Sequence, residues 1–250
     1  MPTILITGCS SGFGLETARH FLAKGWTVIA TMRTPKADLL PASERLTILP
    51  LDVTDPASIA AAVAAAGEID VLVNNAGIGW LNALEGTPIS VVRDIFETNT
   101  IGTIAMIQAV LPQFRTRRAG VIINVTSSVT LKNYDLLSVY TASKAAVNAL
   151  TEVMALELAP FGIRSHVVLP GQAPGTAFSA SARERLTQAG GFPEPYAEMV
   201  EGVFARLTSG SGEEKTRPED VAAAIWRIAT DPTAPMCMPA GADAVALFKG

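Results

Sequence analysis

Thr3-Ile4-Leu5-Ile6-Thr7-Gly8-Cys9-Ser10-Ser11-Gly12-Phe13-Gly14 is a β-branched apolar run that stops in a glycine-rich turn. From Leu15 to Lys24 the apolar positions recur at helical spacing, and Gly25 supplies a stop. Strand, glycine turn and helix in this order predict the first unit of an α/β fold that binds a dinucleotide. In that reading Gly8 serves the tight turn, Gly12 the close approach of backbone to a pyrophosphate, and Gly14 the close packing of the helix. Ser10, Ser11 and Phe13 share the turn and are expected beside the cofactor. The spacing is Gly-x-x-x-Gly-x-Gly rather than Gly-x-Gly-x-x-Gly, and on this segment alone a plain turn is the alternative.

The unit repeats down the chain. Thr27 to Thr31 reads as a second strand, followed by Met32 and Arg33 where a dinucleotide-binding unit places the adenosine ribose. No Asp or Glu stands there; the Arg33 guanidinium can instead grip a 2′-phosphate, unless it is a solvated loop residue. Leu46 to Leu51 reads as a third strand closed by Asp52 and Val53, with Asp52 able to accept from the adenine amine. Alternatively, Asp52 or Asp55 starts the Ala-rich helix 57–66. Asp70 to Val73 is a fourth strand running into Asn74-Asn75-Ala76-Gly77, small and amide-rich residues against which a cofactor ribose could lie. A helical pattern from about Val91 to Arg117 contains Asn99 and Gly102, whose interior cost suggests a bend with a task.

Val121 to Val125 is the run expected of a strand buried on both faces, and it ends in Thr126-Ser127-Ser128. Ligands of open α/β sheets bind at the carboxyl ends of strands, although serines there also serve as turn and capping residues. Tyr140 and Lys144 follow on a segment, Val139 to Ala149, without Gly or Pro, so they lie one turn apart on one helix face. A phenol titrates near pH 10, and an adjacent ammonium favours its ionised form. His166 to Leu169 is a sixth strand ending at Pro170-Gly171, and His166 in its apolar run reads as structural.

Composition narrows the class. The 250 residues suit one layered domain, and 19 Lys+Arg against 23 Asp+Glu leave a net charge of −4 with no basic stripe for nucleic acid. Cys9, Cys237, His20 and His166 are too few and scattered for a disulfide framework or a zinc site, so a cytoplasmic setting is expected. The N-terminal stretch has no export-signal pattern, and no apolar run approaches the length of a membrane span.

Taken together, Thr7-Gly8-x-x-x-Gly12-x-Gly14, Asn74-Asn75-Ala76-Gly77, Asn99, Ser127, Tyr140-x-x-x-Lys144 and Pro170-Gly171 resemble the classical short-chain dehydrogenase/reductases over about residues 3 to 230. Gly8-Cys9-Ser10-Ser11-Gly12 with Ala30-Thr31-Met32-Arg33 is most similar to the hydroxysteroid- and retinol-dehydrogenase-like branch. The resemblance implies a doubly wound parallel sheet of about seven strands in one Rossmann-type domain, with a substrate lid over about 172–216. It implies that Tyr140 is the proton donor or acceptor, Ser127 positions the substrate carbonyl, and Lys144 binds the nicotinamide ribose and depresses the phenol pKa. Asn99 would hold a water in a proton relay, Asn75 would line the cofactor cleft, and the subunits would form a homodimer or homotetramer.

Three departures from the family pattern stand out: Thr130 replaces a usual glycine, the segment from Pro170 to Thr176 is one residue longer, and the Gly-Gly after the seventh strand is missing. The expected activity is hydride transfer between NADP(H), preferred over NAD(H), and a small-molecule ketone or secondary alcohol. Trp80, Tyr134 and Leu137 near the site and Phe178, Phe192 and Phe204 in the lid predict an apolar substrate, unless they are core packing. Rival classes are a dinucleotide sensor without turnover, which has no need of Ser127, Tyr140 and Lys144 together, and a halohydrin-dehalogenase-like lyase, which needs Arg in place of Lys144.

Overall fold

The computed structural model describes residues 1–173, 177–209 and 214–249. Thr176, whose role the longer loop put in question, lies outside them. Seven strands, β1 (Thr3–Ile6), β2 (Thr27–Met32), β3 (Leu46–Pro50), β4 (Val71–Asn74), β5 (Gly120–Val125), β6 (Ile163–Pro170) and β7 (Cys237–Ala240), form one parallel sheet in the order β3-β2-β1-β4-β5-β6-β7. The order reverses between β1 and β4, the place where open α/β sheets bind ligands.

The strands are apolar throughout because both faces are covered. Ile4 and Ile6 pack with Val28, Val73 and Ile123 beneath α1 (Gly12–Ala23), while Leu5 joins Leu72, Ile122 and Phe114 on the opposite face. Phe21 of α1 meets Trp26 and Trp226 edge to face, at 5.0 and 5.1 Å between ring centroids. Such pairs add about 0.5–1.5 kcal/mol each beyond burial.

The remaining helices are α2 (Pro56–Ala66), α3 (Ile89–Phe96), α4 (Gly102–Arg117), α5 (Ser138–Leu158), α6 (Ala177–Gln188), α7 (Ala197–Ser209), α8 (Pro218–Thr230) and α9 (Ala242–Lys249). Among the described residues no helix is long and apolar enough to cross a membrane. Several boundaries move from their expected places for local reasons. α1 begins at Gly12 rather than Leu15, because extended Ser11 caps it and the turn's last glycines form its first turn. β6 begins at Ile163, where polar Arg164 and Ser165 hide a strand that pairs with β5 from Gly120 onward. The expected helix 91–117 is two helices joined by a π-helical turn over Glu97–Ile101, the bend that Asn99 and Gly102 foreshadowed. Gly102 is required there, since a Cβ would sit 2.9 Å from both the Val53 carbonyl oxygen and its Cγ2.

His166 is buried on β6; Nδ1 lies 2.9 Å from the Pro235 carbonyl oxygen and Nε2 3.2 Å from Arg164 Nη1. With Nδ1 carrying the proton, both ring nitrogens are satisfied. Burial, above all, lowers its pKa, consistent with a neutral structural imidazole.

Candidate active site

At the carboxyl end of β1 the chain turns through Gly8, at φ +74°, where a Cβ would meet the Ala76 backbone at 2.9 Å. Gly14 has no room either, since its Cβ would fall 2.4 Å from the Gly8 carbonyl oxygen. The crowding comes from a link between the β1 and β4 loops. Thr7 Oγ1 accepts from Asn75 N and Ala76 N at 3.0 and 2.9 Å, and Asn75 Nδ2 donates to the Thr7 and Gly8 carbonyls at 2.8 and 3.1 Å. Asn75 therefore shapes the cleft by holding backbone, with its amide donors spent on the glycine turn. Ser11 caps α1 without a side-chain bond, and the first turn carries no acidic residue. The N–H groups at this end thus form a site suited to an anion.

Met32, the last residue of β2, is buried, and Arg33 after it is exposed. Asp52 Oδ1 accepts from Thr54 N and Oγ1 at 2.9 and 2.7 Å. These two bonds, and then the Arg33 charge, hold its carboxyl below the usual range. The cap of α2 is Asp55, which accepts from Ala57 N at 2.9 Å, so Asp52 does not start that helix.

The chemical groups converge after β5. Ser127, in extended backbone, caps a short 3-10 turn by accepting from Val129 N at 3.3 Å, and its hydroxyl stands beside the Tyr140 phenol. Thr130, standing where a glycine was expected, donates to the Ser127 carbonyl at 2.9 Å and accepts from Asn148 Nδ2 at 2.9 Å, fastening this loop to α5. Lys144, buried one turn after Tyr140, donates from Nζ to the Val125 carbonyl at 3.1 Å. Asn99 Nδ2 donates to the Ile78 carbonyl at 3.0 Å and to Ser143 Oγ at 3.1 Å, and its Oδ1 accepts from Ile78 N at 2.8 Å. A Cβ on Gly77 would stand 3.1 Å from Asn99 Oδ1 and 3.3 Å from Lys144 Nζ, so this glycine keeps the floor between them open.

The electrostatics of Tyr140 and Lys144 are set first by burial. Burial pushes the Tyr140 phenol up to about 12, with the neighbouring Ser127 hydroxyl opposing it, and pushes Lys144 down to about 8. The Lys144 charge is penalised by burial, and its ammonium donates to the Val125 carbonyl. The Phe178 ring of α6 lies over Tyr140, 5.7 Å between centroids, and is seated on Gly79, whose Cβ would come within 2.7 Å of it. Trp80, expected as a site wall, belongs instead to a core cluster with Ile95 and Val139, and its indole donates to Thr87 Oγ1 at 3.0 Å. Beyond β6, Gly171 N donates to Thr216 Oγ1 at 2.9 Å. Thr216 carried no local signal in the sequence, since its partners lie far along the chain.

Comparison with known proteins identifies the family. The family model described as short chain dehydrogenase matches residues 2–187. The uncharacterized oxidoreductase YusZ of Bacillus subtilis (strain 168) is 36% identical over 237 residues, covering 90% of this chain and 84% of YusZ. Human retinol dehydrogenase 8 is 39% identical over 180 residues, a match covering 68% of this chain but only 58% of the human protein. The solved structure of ElxO with NADP bound has a TM-score of 0.79 at 25% identity, covering 98% of this chain and 99% of that one.

Proposed function

This chain belongs to the short-chain dehydrogenase family and is an oxidoreductase of alcohol and carbonyl carbons, and we propose that it moves a hydride between NADP(H) and an apolar ketone or secondary alcohol. The observation that carries this reading is the buried cluster at the carboxyl end of β5, where the Ser127 hydroxyl stands beside the Tyr140 phenol and Lys144 follows one helical turn away. The glycine turn, the uncapped side of α1 and the open floor at Gly77 fit a dinucleotide. When bound, NADP(H) supplies or accepts the hydride.

The chain's own residues manage the proton. A phenol pushed up to about 12 is fully protonated at neutral pH, the form needed to donate to a carbonyl oxygen as negative charge grows there. Ser127 hydrogen-bonds the same oxygen and holds it beside the phenol. Lys144 binds the nicotinamide ribose, and Asn99 holds a relay water with its side chain fixed against Ile78 and Ser143. Asp52 and Val53 flank the adenine, and Ala76, Gly77, Pro170 and Gly171 line the nicotinamide half. The α6 and α7 stretch is the substrate lid, and Phe178 over Tyr140 supports an apolar substrate. Val153 and Leu156, exposed on α5, support assembly into a homodimer or homotetramer. A panel of ketones followed through nicotinamide absorbance tests the reading, with the best kcat/KM expected on bulky apolar ketones. A best substrate among small charged keto acids would overturn the apolar assignment.

Lys144 makes cofactor affinity depend on pH. Its ammonium is present below about 8, so NADPH should bind best there and weaken about fivefold as the pH rises through and beyond that value, as a charge-assisted bond becomes a neutral one. Fluorescence titration of NADPH at a series of pH values checks this. Lys144→Met should flatten the profile, and an affinity unchanged across the range in the parent protein would remove Lys144 from the ribose.

Arg33 supports NADP(H) over NAD(H), because a 2′-phosphate brings nearly two negative charges to an edge without a carboxylate on Met32. A charge-assisted contact gives a preference of about 10- to 150-fold in kcat/KM, falling with added salt. Arg33→Ala should erase most of it, and equal use of NADH by the parent protein would leave Arg33 a surface residue near Asp52.

A further inference from the structure

Asp243, at the start of α9, is buried, and its carboxylate joins two distant segments. Oδ2 accepts from Gln172 N at 2.7 Å, and Oδ1 accepts from Ala244 N at 3.0 Å and, at 2.7 Å, from Thr216 Oγ1, whose one proton is shared with the Ala240 carbonyl at 2.9 Å. The Lys215 ammonium adds a bond to the Gln172 carboxamide. Gln172 and Thr216 flank the stretch that carries α6 and α7, one before it and one after. The Thr216 oxygen also accepts from Gly171 N, and a Cβ on Gly171 would fall 2.1 Å from Asp243 Oδ1, so only glycine lets the β6 end approach this carboxylate. A buried carboxylate is retained where charge-assisted bonds satisfy it; here the donors come from both sides of one functional segment.

We propose that Asp243 is a positioning residue that pins both hinges of the α6–α7 lid and, through them, the Pro170–Gly171 backbone beside the cofactor. The pinning stands on the hydrogen bonds; its effect on the cofactor rests on the function proposed above. Asp243→Asn keeps the shape and can still accept from Thr216, but it sets an amide N–H against the Gln172 N–H. Hydrogen exchange of the full chain without ligand should then show Gln172, α6 and α7 amides opening about 10- to 100-fold faster, with β1, β4 and β5 unchanged. NADPH should bind the variant more weakly, and KM for an apolar ketone should rise more than kcat falls.

Thr216→Val, which releases the other hinge, should reproduce the exchange pattern and serves as the test if Asp243→Asn does not fold. Lid exchange within about twofold of the parent, or a rise spread evenly over the whole sheet, would overturn the assignment. If the parent protein binds no NADPH, the functional reading fails, while exchange without ligand still decides the hinge.

Discussion

Tyr140→Phe should lower kcat by about 10²- to 10⁴-fold while NADPH binding stays within about twofold of the parent, because it removes only the transferable proton. The ring is buried beneath Phe178 and keeps its packing in the variant, so stability should change little. The Ser127 hydroxyl still accepts from Val129 N at 3.3 Å in the variant. Steady-state rates with an apolar ketone, beside NADPH fluorescence titration, separate chemistry from binding. More than about a tenth of the parent kcat in the variant would reject Tyr140 as proton donor.

The second large effect belongs to Ser127. Its hydrogen bond should strengthen as charge develops on the carbonyl oxygen, so Ser127→Ala should reduce kcat by about 10²- to 10³-fold with little change in KM. Ser128→Ala is the control: Ser128 is also buried after β5, but the hydroxyl that opposes the rise of the phenol is that of Ser127. A loss confined to KM in Ser127→Ala, or an equal loss in Ser128→Ala, would take the carbonyl contact away from Ser127.

The sheet was legible because its strands are covered on both faces, so runs such as Thr3–Ile6 and Val121–Val125 carry unbroken apolar sequence. Helix-period reasoning placed Tyr140 and Lys144 one turn apart because that relation is local. What stayed hidden depends on long-range contact. Asp243 and Thr216 carry no signal in their neighbours, for their partners lie 71 and 45 residues away in sequence. The raised phenol follows from burial that Phe178 and the loop after β5 create only in the folded chain. Thr130 looked like a departure from pattern and proved to be a tie between the Ser127 loop and α5. Trp80 showed the limit of composition, since an aromatic near the site in sequence turned out to be core.

The most direct test of hydride transfer is a single turnover of the purified chain with NADPH deuterated on the transferable face of the nicotinamide C4 and an apolar ketone, read by mass spectrometry of the alcohol. The account predicts an alcohol carrying one deuterium on the carbinol carbon, with the hydroxyl hydrogen drawn from solvent through Tyr140. An alcohol whose carbinol hydrogen comes from solvent, or no alcohol from any ketone that the protein binds, would contradict it.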